Sequence, residues 1–122
     1  MVHTLDKELM KGSIDILILS QIAKGDTYGF EIVKNLQLKS NNLYKMSEGT
    51  LYPALQRLEQ KKYLKSYWGS SETGGRRKYY SITEPGKKEL IKKIEDWNRV
   101  SELINSCKEE GFAWINSEIT LA

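Results

Sequence analysis

The chain has 122 residues, with 19 Lys and Arg against 16 Asp and Glu and a formal net charge of +3. This length suits one domain, and a composition of 39% hydrophobic and 29% charged residues excludes collagen, general disorder and a disulfide scaffold. The longest apolar run, Ile16 to Leu19, is far shorter than the roughly 20 residues of a membrane-spanning helix, and the N-terminus lacks the apolar core of a secretory signal. We therefore expect a cytoplasmic protein with no membrane partner.

Catalytic and metal chemistry find little support in the residue types. Cys107 is the only cysteine and His3 the only histidine, which excludes an intrachain disulfide and a thiolate zinc site. The loop at residues 69–75 resembles a phosphate-binding P-loop, but Gly75 and Arg76 stand where that motif needs Lys and Ser or Thr. The sequence therefore predicts no metal site, no cofactor and no enzymatic activity.

Charge is distributed unevenly along the chain. Residues 1–44 carry five bases and five acids, so their net charge is zero, whereas residues 45–82 carry eight bases and three acids, a net charge of +5. Residues 83–122 carry six bases and eight acids, a net charge of −2. A local excess of positive charge is typical of a surface that binds a polyanion. We therefore expect a nucleic-acid contact within residues 45–82.

The first part of the chain has the periodicity of two helices. From Lys7 to Ala23 apolar side chains recur at three- and four-residue spacing, which predicts one continuous helix. Gly25 supplies its stop, and Asp26 or Thr27 can cap the next helix. The apolar side chains of that second helix share one face: Tyr28, Ile32, Val33 and Leu36.

A third helix is predicted from the N-cap candidate Ser47 to about Lys61, with Leu51, Leu55 and Leu58 as its buried stripe. Pro53 would break a helix interior, so we expect it near the first turn.

Two short runs rich in aromatic and β-branched residues follow at 63–68 and 78–82, separated by the Gly- and Ser-rich stretch 69–75. They predict a two-stranded hairpin. Thr83 can then cap a long final helix of about five turns, with Pro85 in its first turn.

The fold class is therefore mainly α with a small β-hairpin, in the order of a winged helix-turn-helix. We assign residues 1–83 to the DNA-binding domain, whose N-terminal helix also joins a dimer interface. Residues 84–110 form a C-terminal dimerisation helix, and residues 111–122 form a tail of unassigned role.

In a helix-turn-helix the second helix of the pair enters the major groove, and a wing contacts the neighbouring backbone or minor groove. Double-stranded DNA is therefore the expected partner, although a basic hairpin can also be a merely solvated surface. The candidate DNA contacts lie on the start of the second helix, on the outer side of the third helix and on the hairpin: Tyr28, Gly49, Thr50, Tyr52, Pro53, Gln56, Arg57, Gly75, Arg76, Arg77 and Lys78.

The final helix carries a wider apolar stripe than one small domain readily covers, which favours a homodimer on an inverted-repeat operator. Packing of this helix on its own domain is the alternative. The candidate interface side chains come from the first and last helices: Leu9, Met10, Leu90, Ile94, Trp97 and Ile104.

Four segments carry a family resemblance: residues 28–32 (YGFEI), 48–59 (EGTLYPALQRLE), 74–80 (GGRRKYY) and 83–86 (TEPG). Together they resemble the PadR family of bacterial transcriptional regulators, over about residues 9–103. The short last helix is similar to that of the smaller PadR subfamily. The resemblance implies a dimeric winged-helix repressor whose DNA affinity falls when an effector binds.

The resemblance also implies an effector site for a planar aromatic compound, with Trp97 as the ligand-stacking residue and Ile16, Ser20, Leu90 and Ser101 as its lining. Trp97 as a packing aromatic in the dimer core is the alternative. For the whole protein, the alternative to an operator-binding repressor is a winged helix that serves as a protein-interaction module.

Overall fold

The computed structural model describes residues 5–121 of the chain, with side chains for residues 5–118. The chain divides into two units, residues 1–91 and residues 92–122. The helices are α1 (Lys7–Met10), α2 (Ile14–Ala23), α3 (Gly29–Lys39), α4 (Glu48–Gln60) and α5 (Glu84–Leu121), with a 3₁₀ turn at Lys11–Ser13. The strands are β1 (Thr27–Tyr28), β2 (Leu64–Ser70) and β3 (Arg76–Ile82). The predicted fold class is confirmed.

The core of the first unit forms where α2, α3 and α4 turn their apolar stripes toward one another. Its fully buried side chains include Ile18 of α2, Ile32 of α3 and Leu55 of α4. Leu64 of β2 and Tyr80 of β3 join the same cluster from the sheet. The burial of this apolar surface fixes α4 against the core and leaves its opposite side exposed to solvent.

The predicted continuous first helix is wrong in one respect, because a 3₁₀ turn at residues 11–13 separates α1 from α2. Gly12 is a poor helix former, and the Ser13 hydroxyl donates to the Met10 carbonyl at 2.8 Å. Asp6, which the sequence pattern did not single out, caps α1 by accepting from the amides of Glu8 and Leu9 at 2.8 and 3.2 Å.

The predicted caps of α4 and α5 are confirmed, whereas the place of Pro53 differs from expectation. Ser47 Oγ accepts from the Thr50 amide at 3.2 Å, and Thr83 Oγ1 accepts from the Gly86 amide at 3.1 Å. Since α4 begins at Glu48, Pro53 is its sixth residue and lies in the second turn. The burial of one side of α4 outweighs the hydrogen bond that a proline removes there.

The sheet has three strands in the order β1-β3-β2, so the predicted two-stranded hairpin is incomplete. We call β2, β3 and their connecting loop the wing. The strands of the wing pair antiparallel from Leu64↔Ile82 to Ser70↔Arg76, extending beyond both predicted runs at the loop end. The short β1 pairs with β3 through Thr27↔Tyr80 and Tyr28↔Tyr79. Two residues are too few to show strand periodicity in the sequence.

Helix α5 continues to Leu121, past the expected end near residue 110 and through most of the segment predicted as a tail. Residue 122 lies outside the described residues. Gly111 does not stop the helix, because an isolated interior glycine costs only about 1 kcal/mol relative to alanine. Within residues 5–121, no helix combines the length and the apolar composition needed to cross a bilayer.

Candidate nucleic-acid interface

A groove of about 620 Å³ opens in the first unit between the start of α3, the outer side of α4 and the wing. We call it the basic groove. Basic and aromatic side chains dominate its lining: Tyr28, Gly29, Phe30, Tyr52, Gln56, Glu59, Trp68, Arg76, Arg77, Lys78 and Tyr80. Three cations and one carboxylate among these residues make the groove electropositive.

Close packing of α3 on α4 sets one wall of the basic groove. A Cβ atom at Gly29 would lie 2.8 Å from the Tyr52 hydroxyl oxygen and 3.1 Å from Leu51 Cδ2. Glycine at this position therefore lets the start of α3 approach α4 directly. The contact leaves Tyr52 about half exposed at the groove, where its hydroxyl can reach a phosphate.

The wing supplies the positive charge, and each of its three consecutive cations lies over an aromatic ring. Arg76 Cζ is 4.9 Å from the ring centroid of Trp68, and Arg77 Cζ is 5.7 Å from that of Tyr28. Lys78 Nζ is 5.7 Å from the centroid of Tyr80. These distances are within the range of cation–π attraction.

Strand geometry divides the cations between the two faces of β3. Arg76 and Lys78 lie opposite Ser70 and Trp68 of β2, and Arg77 lies opposite Gly69. Since successive side chains in a strand point to opposite faces, Arg76 and Lys78 share one face and Arg77 the other, as the sequence predicts.

A row of tyrosines crosses the sheet on the face of Arg77. Tyr79 meets Tyr28 edge to face at 5.3 Å and stacks on Tyr67 at 5.6 Å. The Tyr67 hydroxyl donates to Asp26 Oδ2 at 2.6 Å. This hydrogen bond, together with a weaker one from Ser81, lowers the pKa of the Asp26 carboxyl below its usual range. The row ties β1 and β2 to the central strand β3.

Glu59 is the carboxylate in the lining of the basic groove. Its Oε2 accepts from the Ser66 hydroxyl at 2.5 Å, and its Oε1 is 3.8 Å from Lys78 Nζ. Burial, with a smaller contribution from the charge of Glu59, raises the pKa of the Tyr80 phenol. Glu59 thus offsets part of the charge of Lys78 and leaves Arg76 and Arg77 as the stronger anion-binding groups.

The basic groove brings together six of the DNA contacts predicted from sequence, namely Tyr28, Tyr52, Gln56, Arg76, Arg77 and Lys78. The other five lie outside its lining. Gly49 and Pro53 are exposed on α4, and Thr50 Oγ1 accepts from Ser47 Oγ at 3.1 Å. The Gly75 carbonyl accepts from the Ser71 amide at 2.9 Å and closes the wing loop.

Arg57, which the sequence predicts as a DNA contact, forms an ion pair through its guanidinium with Asp15 of α2. Its charge therefore ties α4 to α2 and is partly neutralised. The two residues are 42 positions apart in the chain, so sequence spacing carried no signal of this contact.

The lining includes five residues that sequence reasoning did not place there, which are Gly29, Phe30, Glu59, Trp68 and Tyr80. Gly29 and Phe30 belong to the motif at residues 28–32, which was a signal for their importance. Trp68 ends a predicted strand directly before the loop at residues 69–75, and this position is the sequence signal for an aromatic ring at the wing.

The residues predicted for the effector site and the dimer interface have contrasting exposures. In the first unit, Leu9 is 74% exposed, whereas Met10, Ile16 and Ser20 are partly buried and Leu90 belongs to the buried core. In the second unit, the exposed side chains are Ile94, Trp97 and Ile104, and Ser101 is partly buried.

Across the described residues, His, Cys, Asp and Glu side chains form no group of three or more that could hold a metal ion. Cys107 is exposed.

Helices α2, α3 and α4 followed by a basic hairpin, with α4 and the wing sharing one groove, define a winged helix-turn-helix protein of the DNA-binding class. The profile of the transcriptional regulator PadR-like family matches residues 18–92. The chain belongs to this family, as the resemblance of its motifs implies. It is a DNA-binding transcriptional regulator, and the family is one of regulators and not of enzymes.

Similar proteins agree with this assignment. A transcriptional regulator from Clostridium thermocellum has a solved structure with a TM-score of 0.76 and 44% identity, covering 82% of this chain and 97% of that one. A PadR family transcription regulator from Clostridium difficile R20291 has a TM-score of 0.66 and 42% identity, covering 77% and 96%. "Uncharacterized protein X" from Lysinibacillus sphaericus is 39% identical over 98 residues, 80% of this chain and 90% of that protein.

Proposed function

We propose that this protein is a repressor that binds an inverted-repeat operator as a homodimer and releases it when a small aromatic effector binds. The observation that carries the DNA contact is the basic groove, where α4 and the wing present three cations beside one carboxylate. In this proposal α4 enters the major groove and the wing lies on the flanking backbone. Membership in a family of transcriptional regulators supports the same role.

The side chains divide between phosphate contacts and base contacts. Arg76, Arg77 and Tyr52 have donors suited to phosphate oxygens, which position the protein on the duplex. Gln56 is exposed on α4 and has the amide that pairs with both N6 and N7 of adenine. Gly49, also exposed on α4, has no side chain and lets the backbone there approach the base edges closely.

The test of DNA binding compares two triple-alanine variants by fluorescence anisotropy on fragments selected from the source genome. One variant replaces Arg76, Arg77 and Lys78, and the control replaces Lys24, Lys34 and Lys39, which are exposed and absent from the lining of the groove. The wing variant should lose at least about tenfold in affinity, with a salt slope lower by about 2 to 3, whereas the control should lose much less.

Equal losses in the two triple variants would contradict a specific role for the wing. Retained affinity and an unchanged salt slope in the wing variant would favour the alternative function, a protein-interaction module without operator binding.

The homodimer proposal is supported by apolar side chains that face solvent in each unit. These include Leu9 in the first unit and Ile94, Trp97 and Ile104 in the second. Sedimentation equilibrium of Leu9→Glu and Ile104→Glu should show monomers where the parent chain is a dimer, because each change buries a charge in the interface. Operator binding by the dimer should require two DNA half-sites whose centres are about 34 Å apart. A monomeric parent chain would contradict the proposal.

The effector proposal rests on Trp97, which is about half exposed on the helical second unit. Planar aromatic compounds should quench its fluorescence and weaken operator binding, and Trp97→Phe should abolish the specific part of the quenching. Trp68 and Trp114 are the chain's other two tryptophans. The variants Trp68→Phe and Trp114→Phe, measured separately, identify the part of the quenching that comes from Trp97. Quenching that survives Trp97→Phe would leave Trp97 with a packing role alone.

A further inference from the structure

The arginine side chains of the wing are already in contact with aromatic rings, which reduces the entropy that they lose on binding DNA. A free arginine side chain loses about 2 kcal/mol of rotamer entropy when a contact fixes it. In the wing, Arg76 lies over Trp68 of β2 and Arg77 lies over Tyr28 of β1. Each guanidinium of β3 therefore contacts a ring from a neighbouring strand, β2 for Arg76 and β1 for Arg77.

The pairing follows from the register of the sheet. Trp68 is directly opposite Lys78 in the β2–β3 ladder, which places Arg76 diagonal to it on the same face. Tyr28 is directly opposite Tyr79 in the β1–β3 ladder, which places Arg77 diagonal to it on the other face. The diagonal spacing suits a long side chain that lies across a ring.

The rings on these two strands are themselves restrained to different degrees. Tyr28 contacts Tyr79, which stacks on Tyr67, and Tyr67 bonds to Asp26. Trp68, in contrast, is 59% exposed. The contribution of Trp68 can therefore be removed with less disturbance to the fold than that of Tyr28.

Arg76 and Arg77 keep their charges available to an external anion. Within residues 5–118 neither arginine forms an ion pair, whereas Lys78 lies 3.8 Å from Glu59 Oε1. A ring contacts the flat face of a guanidinium and leaves its N–H edge free for the paired oxygens of a phosphate.

We propose that Trp68 is a positioning residue for Arg76, and Tyr28 for Arg77, and that each ring orders its guanidinium to present the N–H edge to a DNA phosphate. This inference rests on the proposed function, since it requires the wing to contact DNA. The rings contribute by reducing the ordering required on binding and not by adding charge.

A double-mutant cycle on Trp68 and Arg76 tests the proposal with the full-length protein and its selected operator duplex. The four proteins are the parent, Trp68→Leu, Arg76→Ala and the double variant. Trp68→Leu should weaken binding about threefold in the parent, from the usual strength of an exposed cation–π pair, and less than about 1.5-fold in the Arg76→Ala background.

Two further measurements separate positioning from a structural effect. Trp68→Leu should leave the salt slope unchanged because it removes no charge, whereas Arg76→Ala should lower it by about 0.9. Trp68→Phe should restore most of the affinity, because it keeps an aromatic ring over the guanidinium. Thermal melts of all the variants check that the wing remains folded.

The outcomes distinguish this inference from the proposed function. Equal weakening by Trp68→Leu with and without Arg76 would overturn the positioning role and indicate a direct DNA contact or a packing role. Unchanged affinity after replacement of all three wing cations would instead overturn the proposed function and, with it, the inference. Failure of Trp68→Phe to restore binding would also overturn the positioning role.

Discussion

Helix α4 and the wing form two sides of the same groove by different physical means. One side of α4 is buried, with Leu51, Leu55 and Leu58 at 1% exposure or less, and its Arg57 is paired with Asp15. The cations of the wing are exposed and lie over aromatic rings. Core packing therefore fixes the position of α4, while surface stacking orders the charges of the wing. Substitutions should consequently separate stability from DNA affinity.

The largest effect should come from Gly86, at the base of the wing. A Cβ atom there would lie 2.1 Å from the Tyr63 carbonyl oxygen and 2.8 Å from Ile82 Cγ1. Gly86→Ala should lower the free energy of unfolding by about 2–3 kcal/mol, since the backbone must move. Chemical denaturation measures the loss, and the control is Gly111→Ala in the same helix, where an added Cβ atom would meet no other side chain or segment within 4 Å. Equal stability of the two variants would contradict the close packing at the wing base.

The next effect contrasts an arginine on α4 with one on the wing. Because Arg57 is paired with Asp15, Arg57→Ala should weaken operator binding less than about twofold and leave the salt slope nearly unchanged. Arg77→Ala should weaken binding several-fold and lower the slope by about 0.9. Anisotropy titrations at several salt concentrations measure both. A larger effect for Arg57 would assign the main phosphate contact to α4.

A smaller change in the opposite direction is expected at Glu59, where the two sides of the groove meet. Glu59→Gln removes the charge that opposes Lys78 but keeps an acceptor for the Ser66 hydroxyl. Affinity for unrelated duplex DNA should rise about twofold to threefold at low salt, because the groove gains net positive charge. Competition with operator and non-operator duplexes measures the ratio of the two affinities. Unchanged non-operator affinity would show that Glu59 does not weaken the field of the wing.

The smallest effect should be at Tyr67, in strand β2 of the wing. The hydrogen bond from Tyr67 lowers the pKa of Asp26, whose folded-state value is then below the value of about 3.9 in an unfolded chain. Ionised Asp26 therefore adds stability above pH 4, and this contribution is lost as the pH falls through the folded-state pKa. Tyr67→Phe should lower the melting midpoint slightly at pH 7 and should not lower it near pH 2. If the melting midpoint of Tyr67→Phe is also lower than that of the parent protein at pH 2, the cause is lost packing and not the hydrogen bond to Asp26.

Local features of the sequence predicted much of the fold and part of the site. The caps at Ser47 and Thr83 and the buried stripe of α4 depend on residues a few positions apart, so they could be inferred before any tertiary contact was known. The positive charge of residues 45–82 likewise predicted the wing as a contact surface. Gln56 and the three wing cations, which were predicted as DNA contacts, line the basic groove.

Contacts between distant segments account for the features that the sequence did not predict. Strand β1 is only two residues long and becomes a strand because β3 pairs with it. Arg57 meets a carboxylate on α2, and Trp68 enters the groove through the register of β2 on β3. Each of these outcomes depends on which elements become neighbours, and hydrophobic periodicity does not contain that information.

By itself, the sequence determined that this protein is a mainly helical, winged helix-turn-helix chain with a basic segment and PadR-type motifs. Those properties come from side-chain periodicity, capping and charge, which act over short stretches of chain. The tertiary structure alone decided which charges remain available to a ligand. It paired Arg57 and partly neutralised Lys78, and it placed Arg76 and Arg77 over rings, because packing brings together groups that are far apart along the chain.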